Sequence, residues 1–231
     1  MDQFPFAFVD SVAHLISKNS AEELSHFSSD VWSSVGKIHQ DKRVEYYIDV
    51  GVVANEAYYQ LRNNGVPTTI SAVLNSDYKY ARILRYCLSG RDLLPFNNKL
   101  IELDEFCDLV NRIPVKELAL YDVHSSTEQN HFLWKIPVEI IYCNRQNVPA
   151  AIIEYHLFEN EFLKTFKFGH PSYNFVVKCV ESFKMERIQV EKNKRKRLSD
   201  LGFAAKSQWR YELKVEARHN GKVKSVRFCT Y

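Results

Sequence analysis

The chain predicts an α/β fold: a short N-terminal helical module, then stacked β/α repeats of leucine-rich-repeat-like type, then a terminal β-hairpin. Three observations lead there. Short alternating segments recur about every 22 to 26 residues, inside the window of stacked β/α units. They are Glu117-Leu118-Ala119-Leu120, Glu139-Ile140-Ile141-Tyr142, Thr165-Phe166-Lys167-Phe168, Arg187-Ile188-Gln189-Val190 and Glu212-Leu213-Lys214-Val215. Between them, Ala150 to Phe158 and Tyr173 to Phe183 carry apolar residues at helical spacing. Finally, Asn220-Gly221 separates two alternating segments, Trp209 to Ala217 and Val223 to Phe228, a strong hairpin signal. A strand and its returning helix cannot bury their apolar faces alone, so such units must stack into one core. The rungs are short and carry no asparagine turn signature. A ferredoxin-like or ordinary mixed α/β domain with evenly spaced strands therefore stays open.

In chain order, residues 1–43 form the helical module. Pro5 suits the first turn of a helix, after which Phe8, Val9, Val12, Leu15 and Ile16 fall on one side. Ser20 with Glu23 gives a capping-box pattern for a second helix, placing Leu24 and Phe27 on a common face. Val31, Trp32, Val35 and Ile38 mark a third short helix. So much apolar surface on about 40 residues does not stabilise itself. Part of it must dock on the rest of the chain or on a partner.

Residues 44–92 predict a β-meander and connecting region. Val44 to Val50 and Ala57 to Leu61 are rich in aromatic and β-branched residues, and Asn63-Asn64-Gly65 is a turn signal before a strand near Thr68. Ile83 to Cys87 reads as an earlier, irregular rung. Residues 93–231 form the expected interaction domain, opening with a helix from Leu100 to Ile113 that ends at Pro114.

Alternation within each rung assigns faces, because successive strand side chains point to opposite sides of a sheet. Leu118, Leu120, Ile140, Tyr142, Phe166, Phe168, Ile188, Val190, Leu213 and Val215 are expected to point into the helices. Glu117, Ala119, Tyr121, Glu139, Ile141, Thr165, Lys167, Arg187, Gln189, Glu212 and Lys214 are expected on an open, partner-binding face.

The first helix opens Phe4-Pro5-Phe6-Ala7-Phe8-Val9-Asp10-Ser11-Val12, Glu22-Glu23-Leu24 opens the second, and Trp32 follows late. This pattern resembles an F-box and is similar to the starts of nematode-type F-box-like proteins. The likeness covers residues 4 to 39. It departs from the family pattern at Phe4, at Asn19-Ser20 in the first loop, and in lacking basic residues around Trp32. The resemblance implies a substrate receptor of a cullin-RING ubiquitin ligase, with a Skp-type adaptor and an unknown protein substrate as partners. Carried over, Pro5, Phe8, Val9, Val12, Leu15, Leu24 and Trp32 occupy adaptor-binding positions. Two alternatives remain. One is a repeat-based scaffold without a ubiquitin link, its helices capping the array; the other is a nuclear nucleic-acid-associated factor.

That last alternative rests on Lys192, Lys194, Arg195, Lys196 and Arg197, an import-signal or nucleic-acid pattern that also fits a solvated loop. The net charge of +3 is mostly this cluster, and no wider basic stripe extends it, so nucleic acid is not expected as a partner. Apolar content of 45% and charged content of 26% are those of a globular protein. No apolar run reaches the roughly 18 residues of a membrane span, and the acidic start lacks a secretory pattern. An intracellular location, cytoplasmic with a nuclear option, is expected. The 5 cysteines are widely spaced and set among apolar residues, as buried hydrophobes would be. There is no phosphate-cradling glycine motif, His-Glu-x-x-His or Cys-x-x-Cys. Cys143 or Cys179 with His124, His131, His156 or His170 offers a nucleophile and base in principle, without favourable spacing. No catalytic residue, metal or cofactor is expected.

Overall fold

The alternation of apolar residues from Val44 onward resolves into one mixed, mostly parallel sheet in the computed structural model. It describes residues 5–16, 18–53, 56–90, 99–123, 125–144, 148–169, 176, 179, 186–189, 204–207, 210–219 and 222–230. The chain begins with α1 (Phe6–Leu15), α2 (Lys18–Glu23) and α3 (Asp30–Lys42). The second helix starts before Ser20, so that residue lies inside it and does not cap it. Next come β1 (Val44–Val53), β2 (Glu56–Asn63), β3 (Val66–Thr68), α4 (Ile70–Leu74), β4 (Ala81–Ser89), β5 (Lys99–Leu100) and α5 (Leu103–Arg112). The remainder holds β6 (Val115–Tyr121), α6 (Ser125–Gln129), α7 (His131–Trp134), β7 (Val138–Cys143), α8 (Ala150–Glu154), β8 (Thr165–Gly169), β9 (Glu186–Gln189), β10 (Ala204–Ser207), β11 (Arg210–His219) and β12 (Lys222–Thr230).

β1, β2 and β3 pair antiparallel as a meander. Between β2 and β3, Asn64 and Gly65 both have positive φ, 48° and 84°. A tight hairpin turn with two such residues favours Asn-Gly, because glycine carries no Cβ to clash there. The sheet order is β3-β2-β1-β4-β6-β7-β8-β12-β11-β10, with β5 beside β2 and β9 beside β11. β1, β4, β6, β7 and β8 are parallel neighbours in chain order, so each is added on the same side of the last.

Burial in this ladder follows one spacing. Ile83, Tyr86 and Leu88 in β4, Val115, Leu118 and Leu120 in β6, and Val138, Ile141 and Cys143 in β7 are all buried. Leu163, Phe166 and Phe168 repeat the pattern at β8. An extra residue sits between the first and second inward positions of β4, β6 and β7 and of the run entering β8; β1 lacks it, so its register with β4 shifts after Tyr46. The register therefore pairs Glu117 with Ile140, and Leu118 with Ile141 and then Phe166. This corrects the expected faces of β7, since a one-residue slip exchanges the two sides of a strand. Ile141 is core; Ile140 and Tyr142 face the other way.

The described helices that pack on the strands cover the inward side. Phe106, Leu109 and Val110 of α5, Leu133 and Trp134 of α7, and Ile152 and Ile153 of α8 join the strand residues in one core, with Val176 and Cys179. A π-helical turn, Tyr155–Glu159, continues α8. Its carbonyl end anchors β12: the buried Lys224 ammonium donates to His156 O (3.1 Å) and Asn160 O (2.8 Å). Phe228 then stacks on Phe168, centroids 5.1 Å apart. β12 thus lies parallel to β8, where the fourth rung was expected. The segments at Arg187 and Glu212 belong to β9 and β11, which run antiparallel to β11 and β12 respectively, so neither is a parallel rung. Most of Tyr173 to Phe183 lies outside the described residues.

The helical module has its own small core of Val9, Ala13, Leu24 and Val35, flanked by Ile16, Val31 and Trp32. Gly36 makes it compact: a Cβ there would lie 2.3 Å from Ser25 N, inside backbone. Gly36→Ala should therefore force α3 off the turn at Leu24–His26 and lower stability by about 1–3 kcal/mol, the usual cost of overpacking. Phe166→Ala should cost about 3–5 kcal/mol as a core truncation. Urea unfolding followed by circular dichroism measures both.

Candidate functional site

Among the described residues no helix covers the other side of the strands, which leaves a bare face whose composition the register dictates. Tyr58, Gln60 and Arg62 of β2 stand opposite Gly51, Asp49 and Tyr47 of β1. The face continues through Arg85 and Cys87, then Glu117, Ala119 and Tyr121, then Ile140 and Tyr142, and then Thr165 and Lys167. Its polar groups are mutually engaged. Arg62 pairs with Asp49, and Arg85 Nε lies 3.2 Å from Glu117 Oε1. Arg85 Nη2 also donates to the Tyr121 hydroxyl at 2.5 Å. Tyr121 and Tyr142 rings are 6.3 Å apart. Tyr47, Asp49, Arg62, Gly65, Arg85 and Cys87 line a shallow depression of about 310 Å³. Tyrosine and arginine on a preformed surface are the residue types that dominate protein-binding energetics.

Of the residues expected on this face, Glu117, Tyr121, Thr165 and Lys167 lie there, half-buried. Ala119 holds a register position between Cys87 and Tyr142 but is fully buried, so it acts as a spacer. Ile141 belongs to the core. Glu139 occupies the extra position of β7 and pairs with Lys164 at 3.1 Å, at the strand's entry and away from the face. For Arg187, Gln189, Glu212 and Lys214 only backbone is described: Glu212 opposes Cys229, Lys214 opposes Arg227, and Gln189 opposes Lys214. The cluster Lys192, Lys194, Arg195, Lys196 and Arg197 lies outside the described residues. Sequence reasoning missed Tyr47, Asp49, Tyr58, Arg62 and Arg85, having set β1, β2 and β4 apart as a connecting region. The usable signal was Tyr47 and Asp49 alternating with Tyr46, Ile48 and Val50.

The helical module divides its expected adaptor residues. Val9 and Leu24 are buried in the module's own core, which removes them from any partner. Val12 and Trp32 are half-buried, and only the backbone of Leu15 is described. Pro5 is exposed, as is Phe8 at 48%, joined by Phe6 and Phe27 at 46% each. The ring of Phe27 lies 6.1 Å from that of Trp32.

At the junction of module and sheet, α1 and α3 converge on Tyr80. The His14 ring stacks on it at 5.4 Å and the His39 ring meets it edge-on at 5.2 Å. His39 Nε2 donates to Asp10 Oδ1 at 3.0 Å, and Lys79 Nζ sits 3.2 Å from Asp10 Oδ2. Asp10, His14 and His39 bring ligand atoms within 4.8 Å of one another, a donor set suited to a transition metal. The surroundings oppose a divalent ion, because Lys79 already neutralises Asp10 and the nearby Arg43 and Arg82 add positive potential. The trio is better understood as a strut between helices. Burial pushes the Asp10 carboxyl up, but hydrogen bonds from His39 and Lys79 outweigh it and hold the group below its ordinary value.

Thiol chemistry finds no support in the same way. Burial pushes Cys87 and Cys179 up to about 12 and the fully buried Cys143 well above its ordinary value, which withholds the nucleophilic thiolate. His124 and His170 lie outside the described residues. In comparisons with known proteins, no family model matches the chain, and neither does any curated protein or solved structure.

Burial and the neighbouring His39 lower His14 to about 4, and burial lowers His156 to about 3. Between pH 6.5 and about 4 the unfolded chain takes up protons that these folded imidazoles refuse. Stability should hold above pH 6.5 and fall as pH drops through that window. His14→Gln should reduce the slope while His156 keeps part of it, as read from urea midpoints at each pH.

Proposed function

We propose that the chain is a non-catalytic protein-interaction adaptor of F-box-like type, a substrate receptor of a cullin-RING ubiquitin ligase working inside the cell. The observation that carries this reading is on the helical module. Its four buried core residues close it internally, yet Phe6, Phe8 and Phe27 remain about half exposed. Large exposed aromatics on so small a module mark it as a docking element. Phe8 is among the positions that the F-box resemblance assigns to a Skp-type adaptor, and Phe6 extends the same end of α1.

The bare face of the sheet is the substrate-holding half of the proposal. Parallel strands added in chain order, with the inward spacing of Ile83, Tyr86 and Leu88 repeated in β6, β7 and β8, support a leucine-rich-repeat-like array. Such arrays bind partners on the strand side. The antiparallel β11–β12 pair, in register up to His219 and Lys222, supports a terminal hairpin. No described helix is long and apolar enough to cross a membrane.

One observation favours the scaffold without a ubiquitin link. The module is fastened to the sheet through Tyr80, Lys79 and Arg82, as a cap would be. The two readings separate in a pull-down with a purified Skp-type adaptor. The adaptor reading expects capture by the wild type, at least tenfold weaker capture by Phe6→Asp plus Phe8→Asp, and unchanged capture by Arg85→Ala plus Tyr121→Ala. No capture by a folded wild type would leave the scaffold reading.

A further inference from the structure

Beneath the helical module, at the entry edge of the parallel strands, lies a cleft of about 740 Å³. That size is typical of small-molecule sites. The extra residue of each strand builds its floor: Leu84, Lys116 and Glu139 all line it. Apolar walls come from Ile16, Val115, Val138 and Phe162, and Phe162 is 64% exposed at the rim. The strands thus turn an apolar surface and a row of charges into one cavity.

Its charge is unbalanced. Lys79 is paired with Asp10, Arg112 with Asp108 at 2.5 Å, and Glu139 with Lys164. Among the described lining residues Lys18, Arg82 and Lys116 then remain against Glu45. Arg82 Nη1 reaches, among the described residues, the Ile16 carbonyl, at 3.4 Å, and Lys18 Nζ that of Arg43, also at 3.4 Å. The Lys116 side chain makes no hydrogen bond or ion pair among the described residues. Behind the wall, Arg43 is 3% exposed, and its Nε and Nη1 make no hydrogen bond. Its Nη2 donates to the carbonyls of Ala13 and His14, and Glu45 is the acidic side chain that acts on it. A buried guanidinium so thinly compensated is costly, and its field is focused into the neighbouring low-dielectric cleft. Burial and repulsion from Arg43 bring Arg82 down to about 10, against the opposing pull of Glu139 and Glu45.

We propose that this cleft binds a soluble amphiphilic anion, with a phosphate or carboxylate head at Arg82 and Lys116 and a short apolar body against Ile16, Leu84 and Phe162. This site is separate from both protein-binding surfaces. A bound anion would tie α1 to β4 and β6, so ligand and module stability are coupled.

Calorimetric titration of the full chain with octyl phosphate, inorganic phosphate and octan-1-ol tests the proposal. Saturable binding of octyl phosphate is expected, at least tenfold tighter than either half-molecule and weakened by added salt. Lys116→Glu, an exposed position that leaves folding intact, should weaken it about tenfold, and Arg82→Gln at least as much. Lys167→Glu on the bare face should leave it unchanged. Equal binding of octan-1-ol, equal binding by Lys116→Glu, or no saturable octyl phosphate binding by the folded wild type would each overturn it.

Discussion

A parallel sheet ordinarily needs cover on both faces, and here the described helices supply only one. The fold depends on how that imbalance is met. On the inward side, Tyr86, Leu118, Ile141, Phe166 and Phe228 form one apolar layer with α5, α7 and α8. On the outward side the strands place short or self-engaged residues: Ala119 as a spacer, and Asp49 with Arg62 and Glu117 with Arg85 as pairs. Such pairs contribute little to stability at a wet surface. They keep the face soluble while leaving tyrosine rings available, a combination that suits a reversible partner.

The same repeated extra residue that sets the inward spacing also shapes the opposite end of the strands. Leu84, Lys116 and Glu139 stand at the entry edge, where the helical module lies over them. The module brings Asp10, His14 and His39 onto Tyr80, and this junction is polar and aromatic instead of aliphatic. Two buried or half-buried guanidiniums, Arg43 and Arg82, sit there with carbonyl partners only. A wholly structural seam would not need them. The module thus packs against the sheet at this junction while Phe6, Phe8 and Phe27 stay about half exposed.

Much of this was legible from the residues. The strands at Glu117 and Thr165 alternate cleanly, and Asn64-Gly65 marked its turn, because local chemistry decides those features. The strand at Glu139 was misread by one residue, since Ile140, Ile141 and Tyr142 are all apolar and alternation alone cannot choose a face. What chose it was the extra residue at Glu139, which breaks the alternation after Val138 and sets Ile141 beside Leu118 in the ladder. The segments at Arg187 and Glu212 look like rungs by spacing. Their antiparallel pairing depends on β12 reaching β8 first through Lys224 and Phe228, long-range contacts that no local pattern shows. In the module, Val9 and Leu24 carry the periodicity of a docking face, yet periodicity does not distinguish a face turned outward from one closed on α3.

Everything said of the bare face turns on which side of β7 is outward, so its register is the point to measure. In a background without other cysteines, Ile140→Cys and Ile141→Cys can be exposed to a thiol reagent under native conditions. This architecture predicts prompt labelling at position 140, and labelling at 141 only as fast as the protein unfolds. Fast labelling at 141 with protection at 140 would place the tyrosines inside and contradict the proposed binding face.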